Sequence, residues 1–182
     1  MNWMKKVAVA LVCLLPLGLQ AAKVDTLQVK SPSMNKSIEV VVVSPDMAAT
    51  EACPVIYLLH GYGGNARTWV GIKPDLPKIA DEKGIFFVCP DGKNTWYWDS
   101  PLNADVRYET FISDELVKYV DSHYKTVADR KGRAITGLSM GGHGAMWNGL
   151  RHSDGFLRGG KYQRWRGYPP FPEKLGDERT NR

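Results

Sequence analysis

The chain has 182 residues, a length that fits one domain, and its 43% hydrophobic content supplies a packed core. A formal net charge of +5 would suit a polyanion-binding protein, but the excess is badly placed for one. Lys5 and Lys6 precede an apolar N-terminal run, and seven Lys/Arg against three Asp/Glu lie between Gly155 and Arg182, which leaves −1 for everything between; a nucleic-acid-binding face is thereby excluded.

Taken in chain order, Lys5 and Lys6, the apolar run Val7 to Leu19 and then Gln20-Ala21-Ala22 have the layout of a signal peptide. The run is too short to span a bilayer, so cleavage near Ala21 and export to a periplasm or beyond are expected, with no stable membrane anchor. Cys13 follows Val12 rather than a small residue, which argues against a lipid-anchored lipoprotein. Val24 to Lys30 and Ser37 to Ser44 read as strands around the turn-forming Ser31-Pro32-Ser33. Pro54 to Leu59 is a short, wholly apolar run, as a buried parallel strand requires, and it stops at the glycine-rich loop His60-Gly61-Tyr62-Gly63-Gly64. A helical region from Ala66 to Glu82 is broken by Pro74 and Pro77. Gly84 to Cys89 is the next buried strand, closed by Pro90-Asp91-Gly92. Tyr108 to Tyr124 has helical periodicity, with Phe111, Ile112, Leu116, Tyr119, Val120 and His123 on one face and Asp114, Lys118 and Asp121 opposite. Arg133 to Thr136 is a strand that runs into Gly137, and Met140 to Arg151 is a helix with small residues at its start. Strands alternating with helices predict an α/β fold, a mostly parallel sheet flanked by helices.

Gly137-Leu138-Ser139-Met140-Gly141 lies between the last strand and the last helix, the setting of a nucleophile elbow. Such a turn is so sharp that the serine is strained, and Gly137 and Gly141, supported by Gly142, keep neighbouring backbone from clashing. Ser139 is then the candidate nucleophile, and the Met140 N–H at the helix N-terminus a candidate oxyanion donor. The loop after the earlier apolar strand offers a second donor, the Tyr62 N–H, because Gly61 lets backbone approach a substrate oxygen closely. His60 reads as a structural residue that holds this loop rather than as a general base. Trp96, Tyr97 and Trp98 lie on a loop after a strand's carboxyl end, where they either line an acyl or sugar site or pack the loop against the domain. There is no clustered His/Cys/Asp set and no phosphate-binding loop, so neither a metal nor a nucleotide cofactor is expected.

The segments Asn94-Thr95-Trp96-Tyr97-Trp98-Asp99-Ser100-Pro101, Tyr108-Glu109-Thr110-Phe111 and Gly132 through Met146 resemble the esterase D-type branch of the α/β-hydrolases. That branch includes S-formylglutathione hydrolase, feruloyl and acetyl-xylan esterases and the mycolyltransferases. The resemblance covers roughly residues 24 to 154, so residues 22–154 read as a partial α/β-hydrolase domain that lacks the later strands. It implies acyl-ester chemistry through an acyl-serine intermediate on a small-molecule or carbohydrate acyl ester. Hydrolysis, transfer of the acyl group to another acceptor and a non-catalytic remnant all remain open; nothing in the sequence sets the oligomeric state. In this fold the strand ending at His60 pairs in parallel with the strand ending at Pro90. Cys53 opens the first and Cys89 closes the second, which puts them roughly 20 Å apart at about 3.3 Å per residue, beyond the about 7 Å Cα limit for a disulfide. Two free, buried thiols are expected.

A serine triad on this scaffold also needs an acid and then a histidine downstream of the nucleophile. After Ser139 the only histidines are His143 and His152, on or at the end of the helix that the serine opens, so the triad acid and base are expected to be absent. Residues 155–182 are neither helical nor strand-like in pattern. Back-translated with free codon choice, a shifted frame from near Phe156 reads Phe-Gly-Ala-Gly-Ser-Thr-Ser-Gly-Gly-Val-Asp-Ile-Arg-Pro-Phe-Pro, which is similar to the continuation found in the family. A single frameshift replacing the C-terminal part, with disorder of that tail, poor stability and an unpaired Ala134 to Thr136 strand edge, is the resulting expectation. Resequencing the gene tests the frameshift: a family-like alternate frame across the codons after Phe156 is expected, and an unambiguous reading without one overturns it.

Overall fold

The computed structural model describes residues 22–157. The expected signal peptide and the segment 158–182 of the expected frameshifted tail lie outside the described residues. Five strands form one sheet in the order β1-β2-β4-β3-β5. β1 (Lys23–Ser31) and β2 (Lys36–Ser44) make an antiparallel hairpin, and β2 pairs antiparallel with β4 (Phe86–Pro90). β3 (Val55–Leu59) runs parallel to β4 on one side and to β5 (Arg133–Gly137) on the other. The sheet is therefore mixed, with its parallel part at β4-β3-β5.

Both faces of the sheet are covered, which accounts for the unbroken apolar runs in β2, β3 and β4. On one face Val40, Val42, Tyr57, Leu59 and Val88 meet Phe111, Ile112, Leu116 and Val120, together with Met140 and Ala145 of α5 (Met140–Arg151). On the other, Val41, Val43, Leu58, Phe87 and Cys89 meet Leu76 and Ala80 of α2 (Leu76–Lys83). Full burial of such a side chain contributes about 2 kcal/mol, so β2, with four consecutive valines at 0% exposure, anchors the hairpin side of the sheet.

The broken helical region resolves into α1 (Thr68–Ile72) and α2, with the break at Pro74. Gly84, expected as the first residue of a strand, instead ends α2: its φ of 61° and its N–H to the Ala80 and Asp81 carbonyls make it a left-handed helix cap. The run from Tyr108 to His123 is α3 (Tyr108–Thr110), a π turn (Phe111–Glu115) and α4 (Leu116–His123). The π turn inserts one residue into the helical spacing. In α4 Val117 joins Leu116 and Val120 on the buried face, while His123, expected there, is exposed at the helix end and stacks on Tyr119 at 4.0 Å.

Cys53 and Cys89 are both free and buried, and they belong to core clusters on opposite faces of the sheet. Burial pushes both thiols up, Cys89 to about 12. Among the described residues β5 has a partner on its β3 side only. It is tied to the helical layer by Arg133, whose guanidinium pairs with Asp121 and donates to the Gly155 carbonyl at 2.8 Å. Asp121 also accepts from Thr126 Oγ1 at 2.7 Å. Removing one member of such a pair leaves the other charge buried and uncompensated. Asp121→Ala is accordingly expected to destabilise the fold by about 3 kcal/mol, read as a fall in the urea midpoint without a change in slope; an unchanged midpoint overturns the role given to this pair.

Candidate active site

The three parallel strands end on one edge of the sheet, where such folds place their ligands. The loops after β3 (from His60), β4 (from Asp91) and β5 (from Leu138) converge there. Of the five non-glycine residues with positive φ among the described residues, Lys93 (49°), Trp96 (58°), Tyr97 (59°) and Ser139 (53°) belong to these loops, and Asn35 lies in the β1–β2 turn. Left-handed backbone costs about 1–3 kcal/mol at residues with a Cβ and persists where packing imposes it.

Ser139 sits between β5 and α5 at φ 53° and ψ −115°. Two glycine contacts force this. A methyl group on Gly137 would run into the Gly141 backbone and come within 2.8 Å of the Leu59 carbonyl oxygen. One on Gly141 would strike the Leu59 carbonyl and lie 2.7 Å from the His60 carbonyl oxygen. Strand β5, helix α5 and the end of β3 therefore touch backbone to backbone, and the Leu138 N–H donates to Leu59 at 3.1 Å to close the corner. Ser139 is exposed, and among the described residues no hydrogen bond reaches its Oγ. Met140, buried, opens the helix with its N–H outside the intrahelical ladder. Gly142, half-buried, follows in the same first turn.

The Gly61 loop lies against the elbow. A Cβ built on Gly61 would lie 3.6 Å from Ser139 Cβ and 3.3 Å from the Leu138 oxygen, so the chain passes within contact distance of the elbow and a side chain there would fit tightly. Tyr62 follows with its side chain 68% exposed, and the Gly64 N–H closes a turn onto the Gly61 carbonyl at 3.0 Å. Among the described residues neither the Tyr62 N–H nor the Met140 N–H is engaged in a hydrogen bond.

His60 is buried, and both ring nitrogens are taken. Nδ1 donates to the Gly61 carbonyl at 2.7 Å, and Nε2 accepts from the Gly92 N–H at 2.9 Å. The partners fix the neutral tautomer with the proton on Nδ1, since a carbonyl only accepts and an N–H only donates. The ring thus joins the β3 loop to the β4 loop. Beside it Asp91 is buried; burial alone would raise its carboxyl, but the Lys93 side chain and N–H hold it well below the usual range.

Of the three aromatic residues on the β4 loop, Tyr97 does not line a surface. It is 0% exposed, its hydroxyl donates to the His60 carbonyl at 3.1 Å, and its ring fills the space that side chains at Gly92 and Gly144 would need. Burial pushes the phenol far up, so it stays protonated. Tyr97 is a packing residue, which corrects the substrate-binding alternative for that position. Trp96 and Trp98 are each 45% exposed, and Trp96 meets His143, on the first turn of α5, edge to face at 5.3 Å. Sequence patterns did not point to the clamps on this loop. Asn94 Oδ1 accepts from the Gly63 N–H at 2.8 Å, and Asn148 Nδ2 donates to the Tyr97 carbonyl at 3.0 Å. A lone asparagine carries no periodic or motif signal.

Neither the His143 ring nor the His152 ring hydrogen-bonds to Ser139 Oγ among the described residues; His143 reaches Ser139 only through its backbone N–H to the Ser139 carbonyl at 3.1 Å, and His152 Nε2 lies 2.9 Å from Glu109. The polar hollow of about 360 Å³ between Asp99, Glu109, Ser113 and His152 does not include the serine among its lining residues. No group of three or more His, Cys, Asp or Glu among the described residues is placed to hold a metal ion. No helix among them is long and apolar enough to cross a membrane.

The Esterase family model matches residues 31–160. An acetyl esterase of Caldicellulosiruptor saccharolyticus is 30% identical over 109 residues, which cover 59% of this chain and 40% of the relative. The solved structure of a ferulic acid esterase superposes with a TM-score of 0.65 at 32% identity, over 75% of this chain and 58% of that one. An S-formylglutathione hydrolase from Agrobacterium tumefaciens superposes with a TM-score of 0.66 at 25% identity, over 75% and 56% of the respective chains. The chain thus spans less than half of the acetyl esterase and somewhat over half of the two structures. With its mixed sheet, helices on both faces and strained serine at the β5–α5 corner, the chain belongs to the esterase family, in the esterase D-type branch of the α/β-hydrolases.

Proposed function

We propose that this chain carries the nucleophilic half of a serine carboxylesterase site. The single observation behind this reading is Ser139, an exposed serine held at positive φ with two unengaged N–H groups on flanking turns. In the proposed reaction Ser139 Oγ attacks the acyl carbon of an ester. The developing oxyanion is met by the Met140 N–H, at the positive end of α5, and by the Tyr62 N–H. Collapse expels the alcohol and leaves an acyl-serine, which water then hydrolyses. Trp96 and Trp98, half-exposed beside the elbow, form one wall for the acyl or sugar part of the substrate. Acetyl or feruloyl esters of carbohydrates are the substrate class favoured by the similarity to an acetyl esterase and a ferulic acid esterase, and by the export signal read in residues 1–21.

A second reading has its own observation: among the described residues no histidine ring or carboxylate hydrogen-bonds to Ser139 Oγ, so nothing there takes its proton. Acylation of this polypeptide is therefore expected to be slow and its turnover slower. With p-nitrophenyl acetate, the 182-residue protein should release at most about one equivalent of p-nitrophenol in a serine-dependent burst, and Ser139→Ala should slow this release by about tenfold or more. Equal rates in the two proteins would reduce the chain to a non-catalytic remnant. Export is checked separately, by the mass of protein recovered from a bacterial periplasm. A product lacking about the first 21 residues is expected, and a cytoplasmic product retaining them overturns it.

A further inference from the structure

The Glu109 carboxylate, on the last turn before the π segment, gathers three donors from α5 and the residue after it. Trp147 Nε1 donates to one oxygen at 2.6 Å, and Arg151 Nε at 2.7 Å and His152 Nε2 at 2.9 Å share the other. Glu109 is only 8% exposed. Burial alone would raise it, but these donors outweigh that effect and hold the carboxyl below its ordinary range, so it is ionised at neutral pH.

The residues it holds belong to a column. His143, Trp147 and Arg151 are spaced by four on α5 and lie on successive turns of one helix face. The Arg151 guanidinium sits over the Trp147 ring, 4.9 Å from its centroid, and the His143 ring stacks with Trp147 at 6.2 Å with planes 16° apart. His143 then meets Trp96 edge on. Side chains of a helix lean toward its N-terminus, so the His143 ring leans toward Ser139, four residues earlier. The column runs from a buried carboxylate at the far end of α5 to a half-exposed tryptophan beside the serine.

We propose that Glu109 is a positioning residue for acyl recognition: by pinning Trp147 and Arg151 it fixes the His143–Trp96 contact, and so sets where the Trp96 ring stands as a wall for a planar aromatic acyl group. This rests on the reading of Trp96 as part of the acyl site. Trp96 stands on left-handed backbone and is 45% exposed, and its edge-to-face contact with His143 supplies an orientation for the ring. Fixing the ring in advance lowers the entropy lost when a planar ligand stacks on it.

The test uses the 182-residue protein and ferulate as probe, with affinity measured by calorimetry. Trp96→Ala and Glu109→Gln should each weaken binding by about threefold to tenfold, and the double variant should bind no worse than Trp96→Ala alone. The ring-proton resonances of His143 should move toward their unstacked positions in Glu109→Gln. Trp147→Phe, which keeps a ring but drops the Nε1–H donor, should move them the same way, and unchanged far-UV circular dichroism shows that both variants remain folded. Ferulate affinity and His143 resonances at wild-type values in Glu109→Gln overturn the positioning role while leaving the Trp96 wall standing. Additive losses in the double variant overturn it too, because Glu109 would then act by another route. Wild-type affinity in Trp96→Ala removes the wall itself, and the aromatic-acyl assignment with it.

Discussion

Everything at this site depends on a backbone contact without side chains. Gly137 and Gly141 let the end of β5, the start of α5 and the carbonyls of Leu59 and His60 touch directly. Without that contact the corner between strand and helix would open, and Ser139 would relax out of its left-handed conformation. The cost of holding a serine there, about 1–3 kcal/mol, is offset by the sheet and helix packed on either side. The same contact places the first N–H of α5 beside the serine, so the strain at Ser139 and the unengaged N–H next to it come from one piece of geometry.

The two neighbouring loops are held to each other by polar bonds, two of them buried. His60 reaches from its own loop to Gly92, Tyr97 reaches back to the His60 carbonyl, and Asn94 holds Gly63. Each of these groups is satisfied by a partner on the other strand's loop, so the β3 and β4 loops are fixed relative to each other. Buried polar networks of this kind rigidify a site when their members are paired. This explains why a histidine and a tyrosine next to a candidate nucleophile serve as struts and not as reactants. Trp96 and Trp98 are the residues of that aromatic cluster left to face outward.

On the helical side, the π turn at Phe111–Glu115 is the departure from regular geometry that matters most. It follows Glu109 closely, and that carboxylate ties the α3–α4 layer to α5 through three side chains. Arg133 and Asp121 make a second tie between the same layer and β5. Strand β5 and helix α5, the two elements that carry the elbow, are thus each anchored to α3–α4 by a charged group.

Much of this was legible from residue order alone. Apolar runs bounded by turn residues marked β3, β4 and β5, the helical period marked α4, and the glycine spacing around Ser139 marked the elbow, because each of these signals is local. The expectations that failed were decided by geometry: Gly84 ends a helix instead of starting a strand, and His123 is exposed at the end of α4 instead of joining its buried face. Residue order was enough for the strand–turn–helix setting of Ser139, for the glycine-rich loop that approaches it and for the separation of the two cysteines. Three-dimensional packing was needed to make Tyr97 core while Trp96 is surface, to leave His60 with no free nitrogen, and to bring Glu109 to the far end of α5. Those outcomes depend on which residues meet across tens of positions of chain, and no periodicity or motif encodes such a meeting; packing does.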